Sequence, residues 1–141
     1  MALDNIFGIA GSALNAQTVR MNTTASNLAN AGTVASSDKE AFRGKRVNFK
    51  TIMETQLNTT ELGNKGGVKV SAISDDPKSI SRMSDPGNPA ADKDGYVYLS
   101  NVSEMSEMVE MMAAARSYQN NVEVVNTARQ LMMRTLDIIK S

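Results

Sequence analysis

From Met108 to Ile139 the chain keeps one repeat. Met108, Met111, Ala115, Tyr118, Val122, Val125, Arg129, Met132, Leu136 and Ile139 follow one another in alternating steps of 3 and 4. A repeat averaging 3.5 residues is a helical period with one apolar edge, and a strand cannot sustain it. Arg129 is the one polar residue in that seam. Glu104, Glu107 and Glu110 stand at its start, and Arg129, Arg134 and Lys140 toward its end, which is the order a helix dipole favours. Asn101 followed by Glu104 reads as a capping box. These signals predict one long helix within residues 101–141.

A second seam opens the chain. Leu3, Phe7, Ala10, Leu14, Gln17, Met21, Thr24 and Leu28 are spaced 4, 3, 4, 3, 4, 3 and 4, with Gln17 and Thr24 as its polar members. Ile6, Ile9, Ala13 and Ala16 widen the stripe, while Gly8 and Gly11 each weaken an isolated helix by about 1 kcal/mol relative to Ala. Asn30-Ala31-Gly32 supplies residues that tolerate the left-handed conformation beyond a helix end, so residues 1–32 are expected to form the first helix.

Residues 33–100 carry all three Pro and six of the nine Gly. Arg46-Val47-Asn48-Phe49, Val68-Lys69-Val70-Ser71-Ala72 and Tyr96-Val97-Tyr98-Leu99 have strand-like alternation or composition. Asn64-Lys65-Gly66-Gly67 and Asp85-Pro86-Gly87-Asn88-Pro89 read as turns or loops. Phe42 to Met53 fits a strand or a short helix. The expected fold is mainly α: long N- and C-terminal helices packed as a coiled-coil-like axial unit, with a small loop-rich β element between them. Residues 1–32 and 101–141 would form one discontinuous helical domain and 33–100 the middle region.

Length adds a constraint. A helix from Val102 to Ile139 is about 55 Å long at 1.5 Å per residue. A globule of this chain length is under about 40 Å across. The seam therefore needs either the N-terminal helix, antiparallel or parallel, or other subunits along its length, and coverage on several sides at once points to assembly. The residues expected at an assembly interface are Leu3, Phe7, Ala10, Leu14, Met21, Leu28, Met108, Met111, Ala115, Tyr118, Val122, Val125, Met132, Leu136 and Ile139. Gln17, Thr24, Arg116 and Asn126 are either register-setting polar contacts or ordinary solvent-exposed positions. The Met-rich face of Met105, Met108, Met111 and Met112, with Met132 and Met133, suits adaptable packing.

Composition narrows the function. The chain has no Cys and no His, which excludes disulfides, Cys/His zinc sites and Ser-His-Asp catalysis. With 15 basic and 15 acidic residues the net charge is zero, unlike a dedicated nucleic-acid binder. Leu, Ile, Val and Phe make up 29 of 141 residues, and there is no Trp, so the core is thin. No apolar run spans a bilayer, and the N-terminus lacks the basic region and cleavage pattern of a secretory signal. Asp92-Lys93-Asp94-Gly95 fails a calcium loop at both ends, with Ala90 at position 1 and Asn101 at position 12, and reads as a turn. Phe42 to Lys50 mixes basic and aromatic residues as single-strand binders do, but the favoured reading is a strand with charged side chains facing solvent or an acidic neighbour. Asp75-Asp76, beside Pro77, reads as turn-forming rather than as an acid/base pair. No enzyme, cofactor or metal site is expected. A helical adaptor closing into a discrete oligomer, with a chaperone-like Met-rich groove, is the alternative to an extended assembly.

Ala10-Gly11-Ser12-Ala13-Leu14-Asn15-Ala16-Gln17, followed by Arg20 to Ala31 ending in Asn27-Leu28-Ala29-Asn30-Ala31, resembles the N-terminal signature of bacterial flagellar rod and hook proteins. Asp85-Pro86-Gly87-Asn88-Pro89-Ala90-Ala91-Asp92, Gly95-Tyr96-Val97 and the run Ala115-Arg116-Ser117-Tyr118-Gln119 to Asn126-Thr127-Ala128 resemble proximal-rod members of that family. Asn88 stands where such proteins often have His, and Phe42-Arg43-Gly44-Lys45 replaces a more usual Tyr-Arg pair. The resemblance implies a structural subunit of the flagellar basal body, needed for motility and exported by the flagellar type III apparatus without a cleaved signal. Its terminal helices would pack into the tube that crosses the periplasm and transmits torque from motor to hook. The implied partners are further copies, the rod proteins FlgB, FlgF and FlgG, the adaptor FliE and the export apparatus, with no nucleic acid.

Overall fold

A computed structural model describes the backbone of residues 2–54 and 65–140 and the side chains of residues 5–52 and 66–139. Two long terminal helices stand in the sequence on either side of a small antiparallel sheet region. Helix α1 is Ala2–Ala29 and α2 is Glu104–Lys140, 28 and 37 residues long. Between them lie β1 (Val34–Ala35), β2 (Lys45–Glu54), β3 (Lys65–Asp75), β4 (Arg82–Ser84) and β5 (Tyr96–Leu99). The strands are more extensive than a loop-rich element: β2 and β3 run for 10 and 11 residues, and Phe42 to Met53 resolves to strand from Lys45 onward.

The helices pack side by side and antiparallel. Asn27, near the end of α1, meets Glu107 near the start of α2, and Ile6 shares a groove with Ala128 and Leu131. With that register, α2 beyond about residue 132 runs past the start of α1. Strands β2 and β3 pair as a hairpin with a bulge at Asn48/Phe49, and this hairpin lies along α1. Strands β1, β5 and β4 form a separate antiparallel sheet in that order, with Val34 opposite Leu99 and Met83 opposite Val97.

Three expectations about ends and turns are corrected. The left-handed stop at Asn30-Ala31-Gly32 does not form; among the described residues Gly95 alone has a positive φ, 79°. Helix α1 instead winds out through short backbone bonds, Ala31 N to Leu28 O and Thr33 N to Asn30 O. The capping box of Asn101 and Glu104 is absent, because Asn101 is drawn onto other loops. Ser103 stands just ahead of α2 in the capping position, its carbonyl accepting the Glu107 N–H at 3.0 Å. Gly66 and Gly67 are not a turn but the first residues of β3 after Lys65. They sit against α1, where a Cβ on Gly67 would lie 2.9 Å from Ser12 Oγ. A glycine inside a strand marks such a close backbone approach.

The turn expected at Asp92-Lys93-Asp94-Gly95 is present. Asp92 Oδ1 accepts the N–H groups of Asp94 and Tyr96, both at 2.9 Å. Gly95 tucks under Pro86, whose Cγ would be 3.2 Å from an added Cβ.

The core is made of small residues. Among the described residues the buried apolar set is Ala10, Ala16, Ala41, Ala114, Ala128 and Val97. Alanines let helices approach closely but remove little apolar area from water. The larger side chains lie mostly outside, with Met105 76% exposed and Ile139 75% exposed. That inversion of the usual distribution is what the rest of the fold must account for.

Candidate assembly surface

Within the chain, α2 turns a different edge toward α1 than the apolar repeat suggests. Its inward edge follows Glu107, Met111, Ala114, Tyr118, Asn121, Val125, Ala128 and Met132, all buried or half-buried, with Glu110, Ala115 and Ser117 half-buried beside it. Met111, Tyr118, Val125 and Met132 belong to both seams. At the alternate positions the inward residue lies one place earlier, Glu107 for Met108, Ala114 for Ala115, Asn121 for Val122 and Ala128 for Arg129. Close approach of the two helices selects small or hydrogen-bonding residues there, and it leaves the larger apolar side chains on the outer side.

The expected interface residues therefore divide. In α1, Ala10 is buried and Phe7, Leu14, Met21 and Leu28 are half-buried; the side chain of Leu3 lies outside the described residues. In α2, Met108, Val122, Leu136 and Ile139 are exposed, and Ala115 is half-buried. Met105, Val109, Met112, Val124, Leu131 and Met133 extend the exposed apolar surface. Ile6, Val124, Ala128 and Leu131 line an open groove of about 360 Å³ where the two helices meet. Of the four polar candidates, Thr24 is buried and Gln17 half-buried with its Oε1 enclosed, whereas Arg116 and Asn126 are exposed.

A polar junction joins α1, α2 and β2. Asn27, 2% exposed, donates from Nδ2 to Glu107 Oε2 at 3.0 Å and to the Lys45 carbonyl at 2.9 Å. Its Oδ1 accepts the Lys45 N–H at 2.7 Å. Arg20 pairs with Glu110, two turns back from Asn27 along α1 and one turn on from Glu107 along α2. Around these groups Thr23, Thr24, Arg46, Val47 and Phe49 complete a polar notch of about 240 Å³. Asn27–Glu107 and Arg20–Glu110 bridge the two helices here, Thr23 bonds back to the Val19 carbonyl and Arg46 reaches out to Asp76.

Asp76 anchors a second junction and is not the wet turn residue its sequence setting suggests. Its carboxylate accepts the Lys78 N–H at 3.0 Å and the Arg46 guanidinium at 2.7 and 3.0 Å. The backbone donor first, and then Arg46, hold its pKa below the usual carboxylate value, while the bond to Asp76 raises that of Arg46. Asn101 closes the loops above it, accepting the Gly44 N–H and donating to the carbonyls of Asp76 and Lys78. Neither role has a spacing signal. Both depend on segments distant in sequence.

The motif residues serve local structure. Asn30 Nδ2 bonds back to the Ser26 carbonyl, and Asp85 accepts from Asn88 and donates its N–H to the Gly95 carbonyl. Pro86 and Gly87 carry that loop over Gly95. Among the described residues no group of three or more His, Cys, Asp or Glu is placed to hold a metal ion, and no helix is long and apolar enough to cross a membrane.

Both ends of the chain match families of known proteins. Residues 7–34 match the family described as flagella basal body rod protein, and residues 93–138 the family described as flagellar basal body rod FlgEFG protein C-terminal. These matches define a structural protein of the flagellar rod and not an enzyme. The chain is 47% identical over 138 residues to the flagellar basal-body rod protein FlgC of Yersinia enterocolitica, covering 98% of each chain. It is 46% identical to FlgC of Salmonella typhimurium and of Buchnera aphidicola subsp. Acyrthosiphon pisum, with the same coverage. The chain belongs to the FlgC family of flagellar basal-body rod proteins, structural subunits on which flagellar motility rests.

Proposed function

We propose that this rod subunit assembles through its two terminal helices, residues 1–32 and 101–141 acting as one discontinuous axial unit. The observation that carries this reading is the exposed apolar surface of α2, running from Met105 through Met108, Met112 and Val122 to Leu136 and Ile139. Large apolar side chains left exposed along so much of one helix mark an interaction site. Neighbouring helices that cover it would supply the coiled-coil-like packing expected of the terminal helices. The subunit then belongs to the proximal part of the rod, in the tube that crosses the periplasm and transmits torque from motor to hook. Its neighbours are further copies, the rod proteins FlgB, FlgF and FlgG, and the adaptor FliE. The type III apparatus delivers it, and the small-residue core suits a chain that must pass a narrow channel before it orders.

Substitution at the expected interface tests this. Val122→Asp and Leu14→Asp would each bring a charge into packed surroundings, so cells carrying either variant alone should not swim and should lack the subunit in isolated rods. Swimming cells would remove these residues from the interface. A discrete closed oligomer of the dilute chain would favour the adaptor reading.

A further inference from the structure

The β2–β3 hairpin lies outside the helix pair, yet it is clipped to α1 at two points about fifteen residues apart along that helix, or roughly 22 Å. At the first, the Asn27 side-chain amide satisfies both backbone groups of Lys45, at 2.7 and 2.9 Å, as a neighbouring strand would. The same Nδ2 serves Glu107, which is 7% exposed, so one side chain ties the hairpin, α1 and α2 together. At the second, the Val68 N–H donates to Ser12 Oγ at 3.1 Å, while the Ser12 hydroxyl donates to the Ile9 carbonyl at 2.7 Å. Gly67 permits this approach, and Ala16, between the two clips, is 2% exposed.

We propose that Asn27 is a positioning residue that sets how the hairpin lies on the helix pair, and that hairpin, α1 and α2 stay docked as one unit in the assembled rod. Lifting the hairpin would separate Asn27 from both backbone groups of Lys45 and open the Ser12 clip. Buried polar groups left without partners are costly, so the docked arrangement is the one that persists. The exposed faces of α2 and of the hairpin are then presented to neighbours at a fixed angle. This inference rests on the rod-subunit reading.

Two experiments test it. Asn27→Asp places a carboxylate against Glu107 and removes the donor to the Lys45 carbonyl. Incorporation into rods, and protection of the Lys45 amide from exchange, should both fall by about tenfold or more. Glu107→Gln in the same chain relieves the repulsion between the two carboxylates but gives the Lys45 carbonyl no donor, so both readouts should stay at least about threefold below the unaltered chain. Full recovery in the double variant would overturn the role of Asn27 at Lys45. The second experiment uses the absence of cysteine from the chain. The Ser12 Cβ lies 3.5 Å from the position of a Cβ on Gly67, at the near edge of disulfide geometry. In the Ser12→Cys, Gly67→Cys variant, rods are isolated and free thiols alkylated at lysis. Docking predicts that the pair is as fully disulfide-linked in rods as in the dilute oxidised chain. Linked thiols in the dilute chain and free thiols in rods would show that the hairpin lifts. Failure of the rod-subunit reading has a separate signature, since the unaltered chain would then be missing from isolated rods.

Discussion

Asn101 accepts the Gly44 N–H at 2.8 Å across 57 residues of sequence, and its amide donates to the carbonyls of Asp76 and Lys78 at 3.2 and 2.9 Å. One side chain thus closes the gap between the entry to the hairpin, its exit and the approach to α2. Asn101→Ala leaves the Gly44 N–H and the Asp76 carbonyl short of a partner, the Lys78 carbonyl keeping its bond from Arg43, and should cost about 1–3 kcal/mol in urea unfolding. Asn101→Asp should cost more at neutral pH, because a carboxylate would face two carbonyl oxygens.

Gly44 is buried directly beneath Val102, where an added Cβ would lie 3.2 Å from Val102 Cγ2. Gly44→Ala should destabilise the chain by about 1–3 kcal/mol through overpacking. Adding Val102→Ala should recover part of that loss, giving a coupling free energy in a double-mutant cycle. Simple additivity would mean that the backbone, and not this contact, resists the methyl group.

Acid should act through Asp76. Its pKa in the folded chain is depressed by the Lys78 N–H and by Arg46, so the native state favours the ionised form. The resulting stabilisation is present above the unfolded value of about 3.9 and is lost as pH falls through the folded pKa. Asp76→Asn should lower stability at pH 7 and flatten the acid limb of a stability–pH profile measured below about pH 4. An unchanged acid limb would place the sensitive carboxylate elsewhere.

The phase of α2 against α1 can be read with three adjacent alanines. Ala114 is 0% exposed, Ala115 half-buried and Ala113 exposed. Ala114→Leu should cost about 1–3 kcal/mol, and Ala113→Leu should change stability by less than about 0.5 kcal/mol. Equal effects at the two positions would contradict the close approach of the helices at Ala114.

The two helices were legible because a repeat held for some thirty residues admits one secondary structure. The strands at Val68 to Ala72 and Tyr96 to Leu99 were legible for the same local reason. Which edge of α2 faces α1 was not, since Met108 and Val122 satisfy the apolar period better than Glu107 and Asn121. The inner edge is chosen by closeness of approach and by the Asn27 bond, and hydrophobicity does not record either. Gly66-Gly67 has the composition of a turn, and only the nearness of Ser12 explains its place in a strand. Asp76 and Asn101 act through bonds between loops, which no spacing rule encodes. The family motif pointed to Asn27 without giving the geometry that makes its amide useful.

The most direct test of the central claim is methionine oxidation by dilute hydrogen peroxide, followed by mass spectrometry, on the dilute chain and on isolated rods. Met105, Met108 and Met112 are 76%, 50% and 65% exposed in the single chain and should form sulfoxides readily there. Met111, half-buried against α1, serves as the internal reference. If this face of α2 is the assembly surface, the three exposed methionines should react at least about tenfold more slowly in rods, because neighbouring helices cover them. Equal rates in rods and in the dilute chain would contradict the account, leaving the apolar face of α2 uncovered in the structure the protein builds.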